Sequence, residues 1–249
     1  MKYLLTIRYV GTEFFGFQVQ PNVRTVQGVL TKACEALFGA PCAVSGCSRT
    51  DSGVHAIASR VTVEPSESCA KIPAQRLPFA IAPYLPDDLS VMEATLVDDS
   101  FHVRHDVKSK EYRYYLRANP VYDPFWVNRA WQYPYPFPED ALSLMNDTAS
   151  ALCGTHDFSA FMAQGSPVLS AVRNLKSLSV KKEGDMYCFI AIADGFLYNM
   201  VRILVGTLVD VGMHRLTKEE VLEALKTKVR ARTGQTAPPQ GLYLYEVIY

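Results

Sequence analysis

The stretch FLYNMVRILVGTLVDVG, residues 196–212, constrains this chain more than any other. It reads as a nearly all-apolar helix, yet Arg202 and Asp210 interrupt it and Asp194 precedes it, so it is too broken to cross a membrane. A helix that is apolar all round belongs inside a large core. A chain of 249 residues with 49% hydrophobic content can supply one, as a single domain or as two packed lobes. No charged-then-apolar leader opens the sequence, so the expectation is a soluble, cytoplasmic protein with no membrane partner.

Arg202 raises a question of its own. A guanidinium cannot shed its proton in a protein, so on a buried helix face it needs a carboxylate or a phosphate. Asp194 and Asp210 are mundane partners, and snorkelling to the helix edge is an alternative. Asp51 is another, in GCSRTDSGVHA at 46–56, the densest polar stretch in an apolar neighbourhood. A Ser/Thr/Gly-rich turn can keep a carboxylate ionised through backbone N–H groups, and Gly53 permits a tight turn. The same residues also fit an Asx turn in which Asp51 caps its own loop.

Other chemistries find little support. Ser48 or Ser52 with Asp51 and His55 contains the ingredients of a hydrolytic triad, but they are crowded into one turn and no GxSxG elbow is present. There is no Walker loop and no GxGxxG for ATP or a dinucleotide. Cysteines 34, 42, 47, 69, 153 and 188 form no CxxC pair and have no histidine at ligand spacing. They are expected to be reduced and mostly buried, with no metal site.

The formal charge is zero, 25 basic against 25 acidic residues, which argues against a protein that coats nucleic acid indiscriminately. Locally, RHDVKSKEYRYYLR (104–117) and KTKVRAR (226–232) are basic clusters. The first interleaves cations with Tyr112, Tyr114 and Tyr115, a mixture that suits a polyanion with stackable bases and equally a solvated edge strand that resists aggregation. Period-2 alternation puts Tyr112 on one strand face with Tyr114 and Leu116.

Strand patterns open the chain (MKYLLTIRYV) and recur at 58–64 (ASRVTVE), in EYRYYLRA, in the hairpin LKSLSVKKE and MYCFIAIAD around Gly184 and Asp185, and in the closing GLYLYEVIY. Helices are expected over TVQGVLTKACEALFG with Thr25 near the N-cap, briefly within 74–86, over EDALSLMNDTASALCG, over 196–212, and over TKEEVLEALKTKV behind a Thr217/Glu220 capping box. Residues 65–100 otherwise look turn-rich, and 119–138 a proline-aromatic loop. The order predicts an α+β fold in two lobes, about 1–104 and 105–249.

RTDSGVHA strongly resembles the RTDAGVHA signature of the tRNA pseudouridine synthase A family. YVGTEFFGFQVQ (9–20), FHVRHDVKSKEYRYYL (101–116), GTHDFSAF (154–161), FLYNMVRILVGTLVDVG and GLYL (241–244) follow the same family in order. The resemblance spans essentially the whole chain. It implies two α+β lobes with mainly antiparallel sheets around a central cleft, and a homodimer. It also implies isomerisation of uridine to pseudouridine at nucleotides 38 to 40 of the tRNA anticodon arm, with no cofactor and no metal. It places the nucleophilic aspartate at Asp51, the active-site tyrosine at Tyr112 and the aspartate-pairing arginine at Arg202. Arg49 is a further basic group expected to guide the RNA or to occupy the Asp51 carboxylate before RNA arrives. A tRNA-binding chaperone without turnover and an N-glycosidase that stops after bond cleavage are the competing readings. Ser48, Phe17 and Val19 depart from residues common in the family, and loss of a basic residue at Val19 is expected to weaken a tRNA contact.

Overall fold

The structure, a computed structural model, describes residues 1–66, 71–165 and 168–249. It divides into two compact units, Met1–Lys108 with Tyr243–Tyr249, and Ser109–Leu242. Both are mixed α+β with mainly antiparallel sheets.

In the first unit β1 (Lys2–Tyr9) leads through residues 11–25 into α1 (Val26–Phe38), then β2 (Cys42–Gly46), β3 (His55–Pro65), α2 (Leu77–Ile81) and β4 (Leu89–Val97). Helix α1 starts at Thr25, whose hydroxyl accepts from the Gly28 N–H at 3.3 Å, satisfying one of the donors a helix start leaves open. It buries Val26, Leu30, Ala33, Cys34 and Phe38, the stripe that a period of 3.6 predicts. Tyr3, Leu5 and Ile7 of β1 are fully buried, and the Tyr3 ring stacks on Phe38 at 5.9 Å. Each such side chain contributes about 1.5–3 kcal/mol through removal from water.

Strand β1 lies antiparallel between β4 and β3. The opposite edge of β3 is divided. Strand β2 takes its far half, from Cys42 opposite Pro65 to Gly46 opposite Val61. The last strand, residues 242–248, takes its near end in parallel, Tyr243 opposite His55 and Leu244 opposite Ala56. Between the two, β2 has already left the sheet, and the loop so released is 47–54.

The second unit begins with β5 (Ser109–Ala118), β6 (Trp131–Tyr133), α3 (Ala141–Ala151) and β7 (Gly154–Asp157). It continues with β8 (Val172–Glu183), β9 (Met186–Ala193), α4 (Met200–Gly212) and α5 (Lys218–Thr227). Its sheet runs β6, β5, β9, β8, β7. The closing strand β10 (Leu242–Ile248) is the one already met against β3.

The expected hairpin is β8 and β9, closed with Glu183 opposite Met186. Helix α4 is buried along nearly its whole length and α3 packs beside it. Helix α5 opens with the predicted capping box, Thr217 and Glu220. Gly206 lets the segment after Thr233 pass directly against α4, since a Cβ there would collide with the Gln235 carbonyl. Thr207 Oγ1 accepts from the Gly234 N–H at 3.0 Å and seals that crossing.

Two expectations change. Residues 65–100 contain an eight-pair strand partner of β1, namely β4, rather than turns alone. The proline-aromatic loop contains β6, which pairs in parallel with Leu116–Ala118, so that end of β5 has a neighbour on both sides within this unit. Of the cysteines, Cys34, Cys42 and Cys47 are buried, Cys153 and Cys188 are half-buried, and none of these five is in a disulfide, while Cys69 lies outside the described residues. Burial pushes the Cys34 thiol up to about 12.

Candidate active site

Asp51 sits at the tip of the loop that β2 and β3 leave between them, and its neighbours on both sides are held by residues 9–17. The Phe17 N–H donates to the Thr50 carbonyl at 3.0 Å, and the hydroxyls of Tyr9 and Thr50 share a hydrogen bond of 2.7 Å. On the other side the Phe14 carbonyl accepts from both the Gly53 N–H and Ser52 Oγ, each at 3.3 Å. The Val54 N–H closes a turn on the Asp51 carbonyl at 3.2 Å. Four of these bonds leave the backbone at position 51 little freedom, which is the preorganisation a reacting carboxylate needs.

Gly16 makes the bracing possible. Its φ of +85° lies in the left-handed region, and a Cβ would stand 2.8 Å from the Thr50 carbonyl oxygen. Phe14 is in turn fixed from behind by Arg24, whose guanidinium lies 4.0 Å from the ring centroid and makes two 2.7 Å bonds to Asp88. That carboxylate raises the Arg24 pKa further, burial opposing it.

His55 belongs to this scaffold. It is 1% exposed, its Nδ1 accepts from the Gly11 N–H at 3.0 Å, and its ring stacks on Tyr243 at 4.6 Å. Ser52 likewise spends its hydroxyl on the Phe14 carbonyl, so neither matches the nucleophile or base of a triad. Phe17 is buried, its ring pressed against Gly46, whereas Val19 is exposed. Phe17 is therefore a packing residue of the loop.

In the second unit Tyr112, Tyr114 and Leu116 share the buried face of β5, as the alternation predicts. Tyr112 stands opposite Ala191 of β9 and meets the Phe196 ring edge-on at 5.1 Å. Tyr114 lies deeper and donates to the Pro238 carbonyl at 2.8 Å. Burial pushes its phenol well above the ordinary value, and the Arg202 charge pulls the other way, so this guanidinium lies within electrostatic reach of the tyrosine face.

Arg202 projects from the first turns of α4. Its Nε donates to the Ala237 carbonyl at 2.7 Å, the Ala237 N–H returns to the Arg202 carbonyl at 3.1 Å, and Nη1 donates to Asn199 Oδ1 at 2.7 Å. Asn199, the residue before the helix, adopts φ 60°. The acids that the sequence offers as local partners are engaged elsewhere. Asp210 pairs with Arg215 at 3.3 Å, and Asp194 accepts from the Asn174 N–H at 3.1 Å. The residues singled out from sequence thus fall into two groups: Arg49 and Asp51 share one loop of the first unit, and Tyr112 and Arg202 belong to the second.

The basic clusters are partly spent on structure. Arg113 pairs with Glu111 at 2.6 Å, Arg117 with Asp185 at 2.9 Å, and Lys228 with Asp157 at 2.7 Å. Arg230 turns inward to Thr233, Gly234 and Thr236, and burial lowers its pKa. Arg49 is exposed and faces a cavity it shares with Arg104. Among the described residues no group of His, Cys, Asp or Glu is arranged to hold a metal ion, and no helix is long and apolar enough to cross a membrane.

Sequence reasoning did not find the braces Tyr9, Phe14, Thr50 and Tyr243, because each acts across a long chain separation. The glycine between two aromatics at 15–17 was their one local signal.

Comparison with known proteins places these residues in a family. Residues 5–106 and 148–249 match the family model described as tRNA pseudouridine synthase. The tRNA pseudouridine synthase A of Thermoanaerobacter sp. (strain X514) is 44% identical over 246 residues, 99% of this chain and 98% of that protein. Those of Brevibacillus brevis and Ruminiclostridium cellulolyticum are 42% and 40% identical, over 98% and 100% of this chain and 97% and 99% of their own lengths. The chain belongs to the tRNA pseudouridine synthase family.

Proposed function

We propose that this protein isomerises uridine to pseudouridine at nucleotides 38 to 40 of the tRNA anticodon stem-loop, with Asp51 as the nucleophile. The observation that carries the reading is the full-length match to tRNA pseudouridine synthases A together with the bracing of the Asp51 loop on both flanks. Such bracing suits a group that must meet one atom of a large substrate in a fixed orientation.

The reaction exchanges one bond for another. The N1–C1′ bond breaks, the uracil turns, and C5 bonds to C1′. The proton on C5 leaves and N1 gains one, so no electrons and no external nucleophile enter. An ionised Asp51 serves by attacking C1′ or by assisting loss of the C2′ proton in a glycal route. Arg202 supplies the counter-charge that keeps the carboxylate ionised and aimed, its Nε and Nη1 already oriented by Ala237 and Asn199. Tyr112 stacks on the extruded base, since base chemistry inside a helix requires the nucleotide to leave the stack. Arg49, two residues before Asp51, guides the RNA. The protein works without a cofactor, as a cytoplasmic homodimer in which one tRNA touches both subunits.

Release of tritium from tRNA labelled at uridine C5 tests the reading. The wild-type protein is expected to release it, whereas a chaperone would bind tRNA without release and an N-glycosidase would liberate free uracil.

A further inference from the structure

A cavity of about 90 Å³ opens in the first unit beside the Asp51 loop, lined by Phe17, Gln18, Gln27, Ser45, Arg49 and Arg104 together with the backbone at Gly46. It holds two guanidiniums and no carboxylate. Among the described residues neither Arg49 nor Arg104 takes part in an ion pair, in contrast to Arg24, which Asp88 neutralises with two bonds. Two cations facing one small concavity with no anion among them create a local positive potential.

One neutral group of the lining, Gln27, is fixed. Gln27 donates to the Val44 carbonyl at 2.8 Å, and its Oε1 accepts from the Val19 N–H at 3.1 Å, so its amide cannot swing in to satisfy the arginines. Arg104 reaches the Gly46 carbonyl with one nitrogen at 3.4 Å, a long bond that leaves most of its five donors for another partner. The chemistry that fits is a tetrahedral oxyanion, because the planar guanidinium fork matches phosphate oxygens two at a time.

We infer that Arg49 and Arg104 together hold a phosphodiester of the RNA next to the target uridine, making Arg104 a substrate-positioning residue. The inference rests on the tRNA reading above and gives that reading a register: Arg49 is two positions from Asp51, so a phosphate held here fixes which nucleotide can reach the carboxylate.

The test measures tRNA binding by the full chain against KCl concentration for the wild type, Arg104→Gln and Arg104→Lys. It also measures wild-type binding to anticodon stem-loops carrying one uncharged methylphosphonate linkage at a time. Arg104→Gln is expected to weaken binding about tenfold and to lower the slope of log affinity against log salt by about one. Arg104→Lys keeps the slope and loses less affinity. One linkage beside the target uridine weakens wild-type binding by a similar factor or more. An unchanged slope in Arg104→Gln, or no sensitive linkage near the target in the wild type, overturns the inference; the linkage measurement stands even if the variant does not fold. Tritium release by the wild type is scored alongside. Release with an unchanged slope defeats the phosphate site alone, and absence of release defeats the synthase reading.

Discussion

Arg202 and Ala237 hold each other by two bonds, guanidinium Nε to carbonyl at 2.7 Å and N–H to the Arg202 carbonyl at 3.1 Å. The guanidinium is thereby pinned by the protein backbone before any substrate arrives. Arg202→Leu removes the donor and leaves the Ala237 carbonyl short of a partner, at a cost of about 1–3 kcal/mol. The variant is expected to stay folded by circular dichroism, with a lowered melting temperature, while turnover drops by at least about a hundredfold. Arg202→Lys keeps the charge but cannot reach both Ala237 and Asn199, so its activity is expected to fall nearly as far.

Gly16 offers a test of the bracing around Asp51. Gly16→Ala must place a Cβ 2.8 Å from the Thr50 carbonyl at a φ of +85°. The left-handed conformation costs about 1 kcal/mol for alanine and the clash adds to it. Because Thr50 is the residue before Asp51, kcat for tRNA is expected to fall further than the loss of stability in urea explains. Retention of full kcat would show that the loop needs no brace.

Gly206→Ala separates fold from site. Its Cβ meets the Gln235 backbone on a helix whose neighbours are all buried, and backbone cannot yield as a side-chain tip can. A loss of at least about 3 kcal/mol in denaturant unfolding is expected, among the larger effects of single substitutions.

Asp157 gives a pH signature. Hydrogen bonding from Lys228, then from the Ser159 hydroxyl, lowers its carboxyl from 3.8 to about 2. A carboxyl depressed in the folded state stabilises above its unfolded pKa and loses that contribution as pH falls toward the folded value. The window is therefore roughly pH 4 down to pH 2. The Asp157 side chain is 29% exposed and its Lys228 partner 55%, so solvent screening holds the contribution to about 1 kcal/mol or less. Asp157→Asn is expected to lower stability at pH 7 slightly and to flatten the decline across that window, followed by thermal unfolding at a series of pH values.

Much of the secondary structure was legible because local signals agreed with tertiary demand. Thr25 caps α1 and Thr217 caps α5 where the sequence says they should. Tyr112, Tyr114 and Leu116 share a buried face as period 2 requires. Strand β4 was hidden by the prolines that crowd the chain just before it, at 73, 78, 83 and 86, although SVMEATLV itself alternates. The assignment of residues 243–249 to the first unit rests on a parallel pairing of Tyr243 and Leu244 with His55 and Ala56, which no local pattern announces. At the site, the polar turn at 48–55 was visible as a cluster. What was invisible is that Phe14 and Tyr9 hold it, since each contact spans about forty residues of chain.

The central claim is that Asp51 carries the chemistry. In Asp51→Asn the side chain keeps its size, and the loop keeps its bonds at Thr50, Ser52 and Gly53, so tRNA binding is expected to stay within about threefold of the wild type. Release of tritium from C5-labelled uridine in tRNA is expected to fall by at least about 10⁴-fold, as when a reacting nucleophile is removed. Undiminished release from Asp51→Asn would contradict the account.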